Sequence, residues 1–264
     1  MPDERGDDAW DPGTNIIVLA KGKVLDGHVV RHELLHAILN VRMTLAFDHV
    51  FVCTAVGAPE AALLLAAGFA EGTPNVHPGQ GTACRRFFFH DAYLELLWVD
   101  DAVAARDPRT APTRLWDRWH ARADGRTCPF GLAVRGAGDD GPPPFPTWPY
   151  RPSYLPPGVA IPVGTNSDAL HEPMTFVLPF GRRPDAVADG ERQPLVHATG
   201  VREVTRLALH APPAEPSAAL AAVTSLGIVE RLPAERPALV LGFDGEAAGR
   251  ELDLRPALPL LLRW

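Results

Sequence analysis

Apolar and polar residues alternate over "AFDHVFVCT", residues 46–54, which predicts a half-buried strand. An Ala/Leu-rich stretch follows, "APEAALLLAAGF" (58–69), which reads as a short helix stopped by Gly68. Two β-prone runs come next, "ACRRFFFHD" and "AYLELLWVD", split by the turn-like His90-Asp91. A similar succession recurs near the C-terminus. There "EVTRLALHA" (203–211) is strand-like, "PSAALAAVTSLGI" predicts a helix closed by Gly227, and "PALVLGFDG" and "LDLRPALPLLLRW" are strand candidates around a Gly-rich turn. The pattern predicts an α+β protein of two β-α-β-β-β modules, at 46–99 and 200–264, each hiding a face on the other because so small a unit buries little alone.

Prolines change the picture of the middle. Of the 28 in the 264-residue chain, many cluster in "GPPPFPTWPYRPSYLPPG" (141–158) and "LHAPPAEP" (209–216), which excludes helix interior there. Trp148, Tyr150 and Tyr154 give the first of these apolar area, so it is expected to be an ordered part of an insert spanning 100–199. Trp116 and Trp119 join Trp148 and Tyr150 as an aromatic set that either roofs a pocket or packs as satellite core.

A net charge of −7 with scattered Lys and Arg offers no basic field for nucleic acid. No apolar run reaches the roughly 18 residues of a membrane span. With an acidic "MPDERGDD" start the expectation is a cytoplasmic protein. Three cysteines, Cys53, Cys84 and Cys128, lack metal-knuckle spacing and read as buried thiols, with a reactive Cys128 in "RTCPFG" as the alternative.

"FDHVFVCT", "AALLLAAGF" and "HPGQGTACRRFFFHDAYLELLWV" (77–99) resemble the vicinal oxygen chelate superfamily, which holds glyoxalases, bleomycin-resistance proteins and extradiol dioxygenases, and in particular its glyoxalase-like members. The resemblance is dense over 46–99 and weaker over 200–264. It implies paired β-α-β-β-β modules with a curved mixed sheet, residues 43–264 forming the glyoxalase-like domain. It also implies a divalent metal held by one ligand on the first and one on the fourth strand of each half.

His49 and Glu95 match those two positions in the first half, Glu95 serving as metal ligand and catalytic base. Zinc, iron, manganese or nickel would suit an imidazole and a carboxylate. The second half departs from the pattern, since lining it up puts Arg206 in place of the histidine and Leu261 in place of the glutamate. Two ligands are too few, so the cofactor is either a divalent ion completed by His197 or His77, or none. Arg206 facing the same cleft would hold a carboxylate or enolate. Arg85 and Arg86 point to opposite faces of one strand, so only one can face the cleft. Arg85, His77, His197 and Arg206 are the expected substrate contacts, with Gln80 and Thr82 near the mouth.

One motif stands outside this scheme. "HVVRHELLHAILN" (28–40) contains His-Glu-x-x-His, which on a helix puts His32 and His36 on one face with Glu33 as base. The metzincin extension fails at Leu39 and Arg42, and Glu60, at a gluzincin-like distance, belongs to the first module's helix. Residues 1–42 are therefore expected to be a strand-helix appendage whose Val30, Leu34, Leu35 and Ile38 pack on the domain.

Three functions follow. The first is a metal-assisted lyase, isomerase or dioxygenase acting on a small oxygenated molecule, and the second a metal-free binding or sequestering protein. A zinc peptidase, or its remnant, is the third. Either one chain or a homodimer could pair the modules.

Overall fold

The first strand of the resemblance, β3 (Leu45–Cys53), is the hub of an eight-stranded sheet. A computed structural model of the chain describes residues 9–11, 16–18, 44–136, 141–188 and 190–264. The HELLH segment with His32, Glu33 and His36 lies outside the described residues. In a separate unit, β1 (Ala9–Asp11) and β2 (Ile16–Val18) pair antiparallel.

After β3 the chain forms α1 (Ala61–Ala66) and turns at Gly68, whose φ of +94° suits glycine, as the Gly stop predicted. It continues as β4 (Asn75–His77), β5 (Thr82–Phe88) and β6 (Tyr93–Val99). β6 returns beside β3 in parallel, β5 pairs antiparallel with β6, and β4 with β5. This is the β-α-β-β-β module expected over 46–99.

Its partner is not where the sequence pattern put it. The strand beyond β3 is β7 (Phe130–Gly136), paired antiparallel. It is followed by β8 (Thr147–Tyr150), β9 (Ile161–Gly164) and β10 (Met174–Leu178). The order β4-β5-β6-β3-β7-β10-β9-β8 repeats one arrangement on each side of the β3–β7 seam, with β10 parallel to β7 as β6 is to β3. The second half of the curled sheet thus lies within the expected insert 100–199, and the expectation that 200–264 supplies it is corrected. Proline hid these strands. Pro149 and Pro162 stand opposite each other on β8 and β9, with β8 at the sheet edge, where a missing N–H is tolerated.

Residues 200–264 form their own five-stranded sheet from β11 (Val204–Ala211), β12 (Glu230–Pro233), β13 (Ala238–Phe243), β14 (Glu251–Asp253) and β15 (Leu260–Arg263). Its order, β12-β11-β13-β15-β14, puts the first strand between the second and third. In the eight-stranded sheet the first strand lies beside the fourth, so the two successions look alike in sequence and differ in pairing. Leu207, Leu209, Leu239, Leu241, Leu260 and Leu262 are buried, and α4 (Ala218–Ser225) buries Ala219, Leu220 and Val223. Phe243 and Trp264 pack on Phe69, so this sheet rests against the first module without extending it.

Between the halves, α2 (Ala102–Ala105) is capped by Asp101, whose carboxylate accepts from Val103 and Ala104 N–H. Helix α3 (Leu115–His120) sends Trp119 Nε1–H to Thr54 O at 2.8 Å and lays Leu115 on the sheet's apolar cluster. Arg118, on the same helix and fully buried, donates to the carbonyls of Cys128, Ser167, Ala169, Leu170 and Glu172.

Candidate functional site

Strand register collects one set of side chains on one face of the eight-stranded sheet. Tyr93, Glu95 and Leu97 lie there from β6, alongside His49, Phe51 and Cys53 from β3. Ala133 and Gly131 from β7 follow, then Met174 and Phe176 from β10. Val163, Ile161 and Tyr150 complete the far wall. Leu115, Tyr154 and Gln80 close over them, leaving a cavity of about 50 Å³ lined by Phe51, His77, Glu95, Leu97, Met174 and Phe176 among others.

His49 and Glu95, expected to project side by side, do so, with Nε2 and Oε2 3.9 Å apart and both residues buried. Asp48 braces the imidazole, its Oδ1 lying 2.9 Å from His49 Nδ1, while its other oxygen accepts from Arg135 at 3.2 Å. A carboxylate can only accept, so Nδ1 carries the hydrogen. Nε2 is thereby turned toward Glu95. Tyr93 stacks on the imidazole at 4.2 Å and Phe176 meets it edge-on at 5.6 Å. Burial, with Glu95 and Asp48 close by, raises the Tyr93 hydroxyl well above its ordinary range, so it stays protonated. Burial, with the Glu95 carboxylate nearby, raises the Cys84 thiol too.

At the other side of the cavity, a hydrogen-bonded chain fixes His77. Asn75 Nδ2–H reaches His77 Nε2 at 3.0 Å, and His77 Nδ1 and Gln80 Nε2 both meet Thr82 Oγ1, at 3.0 and 2.7 Å. Tyr154 O–H closes the chain on Gln80 Oε1 at 3.1 Å. Burial lowers the proton affinity of His77. It lines the cavity as expected, and Gln80 does as well.

The other expected contacts lie elsewhere. Arg85 is on the opposite face of β5, paired through Nε and Nη2 with Glu71 and through Nη1 with Ala58 O. Its neighbour Arg86, opposite Glu95 in register, has the cleft face. His197 is a buried link, accepting from Ala70 N–H and donating to Phe88 O, both at 2.9 Å, among Phe69 and Phe89. Arg206 sits on the five-stranded sheet between Glu230 and Glu246. Cys128 is buried, its thiol pushed up to about 11, which is the inert thiol rather than the reactive one. Residue patterns missed Asp48, Arg135 and Tyr93 and took Arg85 where Arg86 has the cleft face; period-two spacing around Glu95 would have found Tyr93.

Fit to a metal can be judged from the donors. On this face the second half carries Gly131, Ala133 and Arg135 on β7 and Met174, Phe176 and Leu178 on β10, none of which offers an imidazole, carboxylate or thiolate ligand. Among the described residues no group of three or more His, Cys, Asp or Glu is placed to hold a metal ion. Catalytic zinc sites take three protein ligands. Two donors from one half do not make such a shell, and His77 and His197, the expected third ligands, are engaged elsewhere.

A curled mixed sheet of two like halves around a lined cavity defines a vicinal oxygen chelate type of fold. Residues 47–142 match the model of a glyoxalase-like domain family. No curated protein matches. Among solved structures, a hypothetical protein from Staphylococcus aureus is similar with a TM-score of 0.46 and 9% identity, over 83% of this chain and 99% of that one. No described helix is long and apolar enough to cross a membrane.

Proposed function

We propose that the protein binds a small oxygenated molecule in this cleft and that His49 and Glu95 act on it as a proton-transfer pair, without a resident metal ion. The observation that carries this reading is the 3.9 Å approach of Nε2 to Oε2 against an apolar second half. At that distance the two atoms can both reach one ligand C–H or O–H and exchange its proton. Glu95 Oε2 takes that proton. Passed on to His49 Nε2, which Asp48 orients through Nδ1, the same proton returns to the ligand at a neighbouring atom, and Arg135 holds Asp48 in place. Phe51, Leu97, Met174 and Phe176 keep water away from the transfer. The reaction class is a lyase or isomerase; a ligand held with no transfer would make the same cleft a sequestering site.

The Asp48 brace also favours a second reading, a metal-assisted lyase, isomerase or dioxygenase, because ligating histidines are commonly oriented through their other nitrogen. Elemental analysis separates the two. The protein is exposed to zinc, iron, manganese and nickel and dialysed, with His32→Ala and His36→Ala in place so that the HELLH segment adds nothing. Metal well below one equivalent, unchanged by His49→Ala, is expected. One equivalent that disappears in His49→Ala or Glu95→Ala overturns the metal-free reading.

A further inference from the structure

We propose that Arg86 is the carboxylate anchor of the cleft and that the ligand is a small monocarboxylate with an apolar body. The inference rests on the cleft reading above and adds the substrate class to it.

Two adjacent arginines are used in opposite ways. Arg85, on the outer face, is saturated by both oxygens of Glu71 and by Ala58 O. Arg86 is held only at its stem end. Nε donates to Thr73 O at 2.8 Å, and the guanidinium lies 5.1 Å from the centre of the Phe88 ring. Its two Nη nitrogens have no protein acceptor among the described residues. Glu95 is its cross-strand neighbour, yet no ion pair within 4.0 Å joins them. The charge is thus oriented by a tether and a ring face, with its outer fork left open. A planar fork of two N–H donors matches a carboxylate better than any other small anion.

Neighbouring groups argue for a single negative charge on the ligand. Glu95 stands beside Arg86 in register, and Asp48 lies behind His49, so a dianion such as a phosphate would meet carboxylates as well as the arginine. Position agrees with this. Phe88 stacks on Tyr93 at 4.9 Å, Tyr93 on His49 at 4.2 Å, and His49 meets Phe176 at 5.6 Å. These rings form one continuous row from Arg86, past His49, to the apolar wall. A carboxylate on the Nη fork extends its carbon body along that row, toward Nε2 and Oε2 and then Phe51, Met174 and Phe176. The cavity of about 50 Å³ suits a small ligand body. The field of Arg86 is felt at His77, Cys84 and Tyr93, where it favours the less positive or more negative form.

The test uses matched acid and amide probes, acetate and acetamide, lactate and lactamide, benzoate and benzamide, titrated into the full chain by heteronuclear NMR at constant ionic strength. At least one acid is expected to bind about tenfold or more tightly than its amide, the scale of a charge-assisted bidentate contact. Arg86→Gln brings that ratio to within about twofold of unity and leaves amide affinity alone, while Arg85→Gln keeps the ratio. Arg86→Lys, which keeps the charge and loses the fork, falls between. It serves as the readout if the glutamine variant does not fold. Absence of acid preference in the wild type, or its survival in Arg86→Gln or Arg86→Lys, overturns the proposal. His49→Ala keeps the two readings apart. Probe binding that depends on His49 but shows no acid preference sinks only the anchor, whereas binding indifferent to His49 sinks the cleft reading.

Discussion

Replacing Arg118 by methionine keeps most of the side-chain volume and removes every donor. The guanidinium is fully buried, and it reaches five carbonyls and no carboxylate. Two of the five have a second donor, Leu170 O from Cys128 N–H and Ala169 O from Glu172 N–H. The carbonyls of Cys128, Ser167 and Glu172 depend on Arg118 alone among the described residues. A buried polar group left without a partner costs about 1–3 kcal/mol, so three would cost about 3–9 kcal/mol. Burying a cation is itself unfavourable, and burial lowers its hold on its proton, so methionine recovers part of that. The net expectation is a loss of about 3–5 kcal/mol, the range for breaking a buried charged network from one side. Urea unfolding followed by tryptophan fluorescence measures it, with the slope checked so that a midpoint shift reports stability. Arg118→Lys, with three donors at one point, should lose less. The helix that carries Arg118 also lays Leu115 over the cavity, so the methionine variant should weaken probe binding too. If it unfolds within about 1 kcal/mol of the wild type, carbonyl satisfaction is not what holds α3 to the second half of the sheet.

Two further outcomes follow from single side chains. His197 is held neutral, its Nδ1 accepting and its Nε2 donating, and burial lowers its pKa from 6.5. The unfolded chain takes up a proton there before the folded one does, so this contribution is complete above about pH 6.5 and declines as pH falls below it. The wild-type urea midpoint minus that of His197→Gln, compared at pH 7.5 and 5.5, should shrink at the lower pH; a difference that grows contradicts the assignment. Phe176→His puts an imidazole where a ring already lies 5.6 Å from that of His49, giving the cleft a third donor beside His49 and Glu95. With the HELLH histidines replaced, that variant should hold about one equivalent of zinc that the parent does not, and should lose it on His49→Ala. Failure to gain zinc would show that the missing donor is not what keeps the cleft free of metal.

The first module was legible because its signals are local. Alternation over 45–53, a Gly stop at Gly68 and the period-two run around Glu95 each depend on neighbours in sequence, and they place His49 and Glu95 on one face. The second half was hidden for a non-local reason. Its outer strands carry Pro149 and Pro162, residues that argue against a strand until it is known that β8 is an edge and that the two prolines face each other. The C-terminal succession showed the opposite fault, with strong local signals and a different pairing. Strand order depends on which edges are free in the folded chain, and hydrophobic pattern does not encode it. Arg206 and Leu261 therefore took the places that belong to β7 and β10. Parity said that one of Arg85 and Arg86 faces the cleft; register with Glu95 was needed to choose Arg86.

That displacement changes the meaning of the missing ligands. With 200–264 taken as the partner, Arg206 in place of the histidine and Leu261 in place of the glutamate left two ligands and offered a fixed cation for a carboxylate or enolate. The actual partner strands carry Gly131, Ala133, Met174, Phe176 and Leu178 on that face, small or apolar, with Arg135 at the end of β7 as the exception. The second half is therefore not a damaged copy of the first. It forms a hydrophobic wall, and Gly131 has no room for a side chain because a Cβ there would overlap the Phe51 ring. The titratable groups of the cleft, Asp48, His49, Arg86 and Glu95, stand on β3, β5 and β6 of one module, and Arg135 of β7 joins them at the seam through Asp48. A ligand bound between such halves is gripped at one end by charge and at the other by apolar contact. This one-sidedness is what a small amphipathic acid needs and what a cage drawing donors from both halves cannot use.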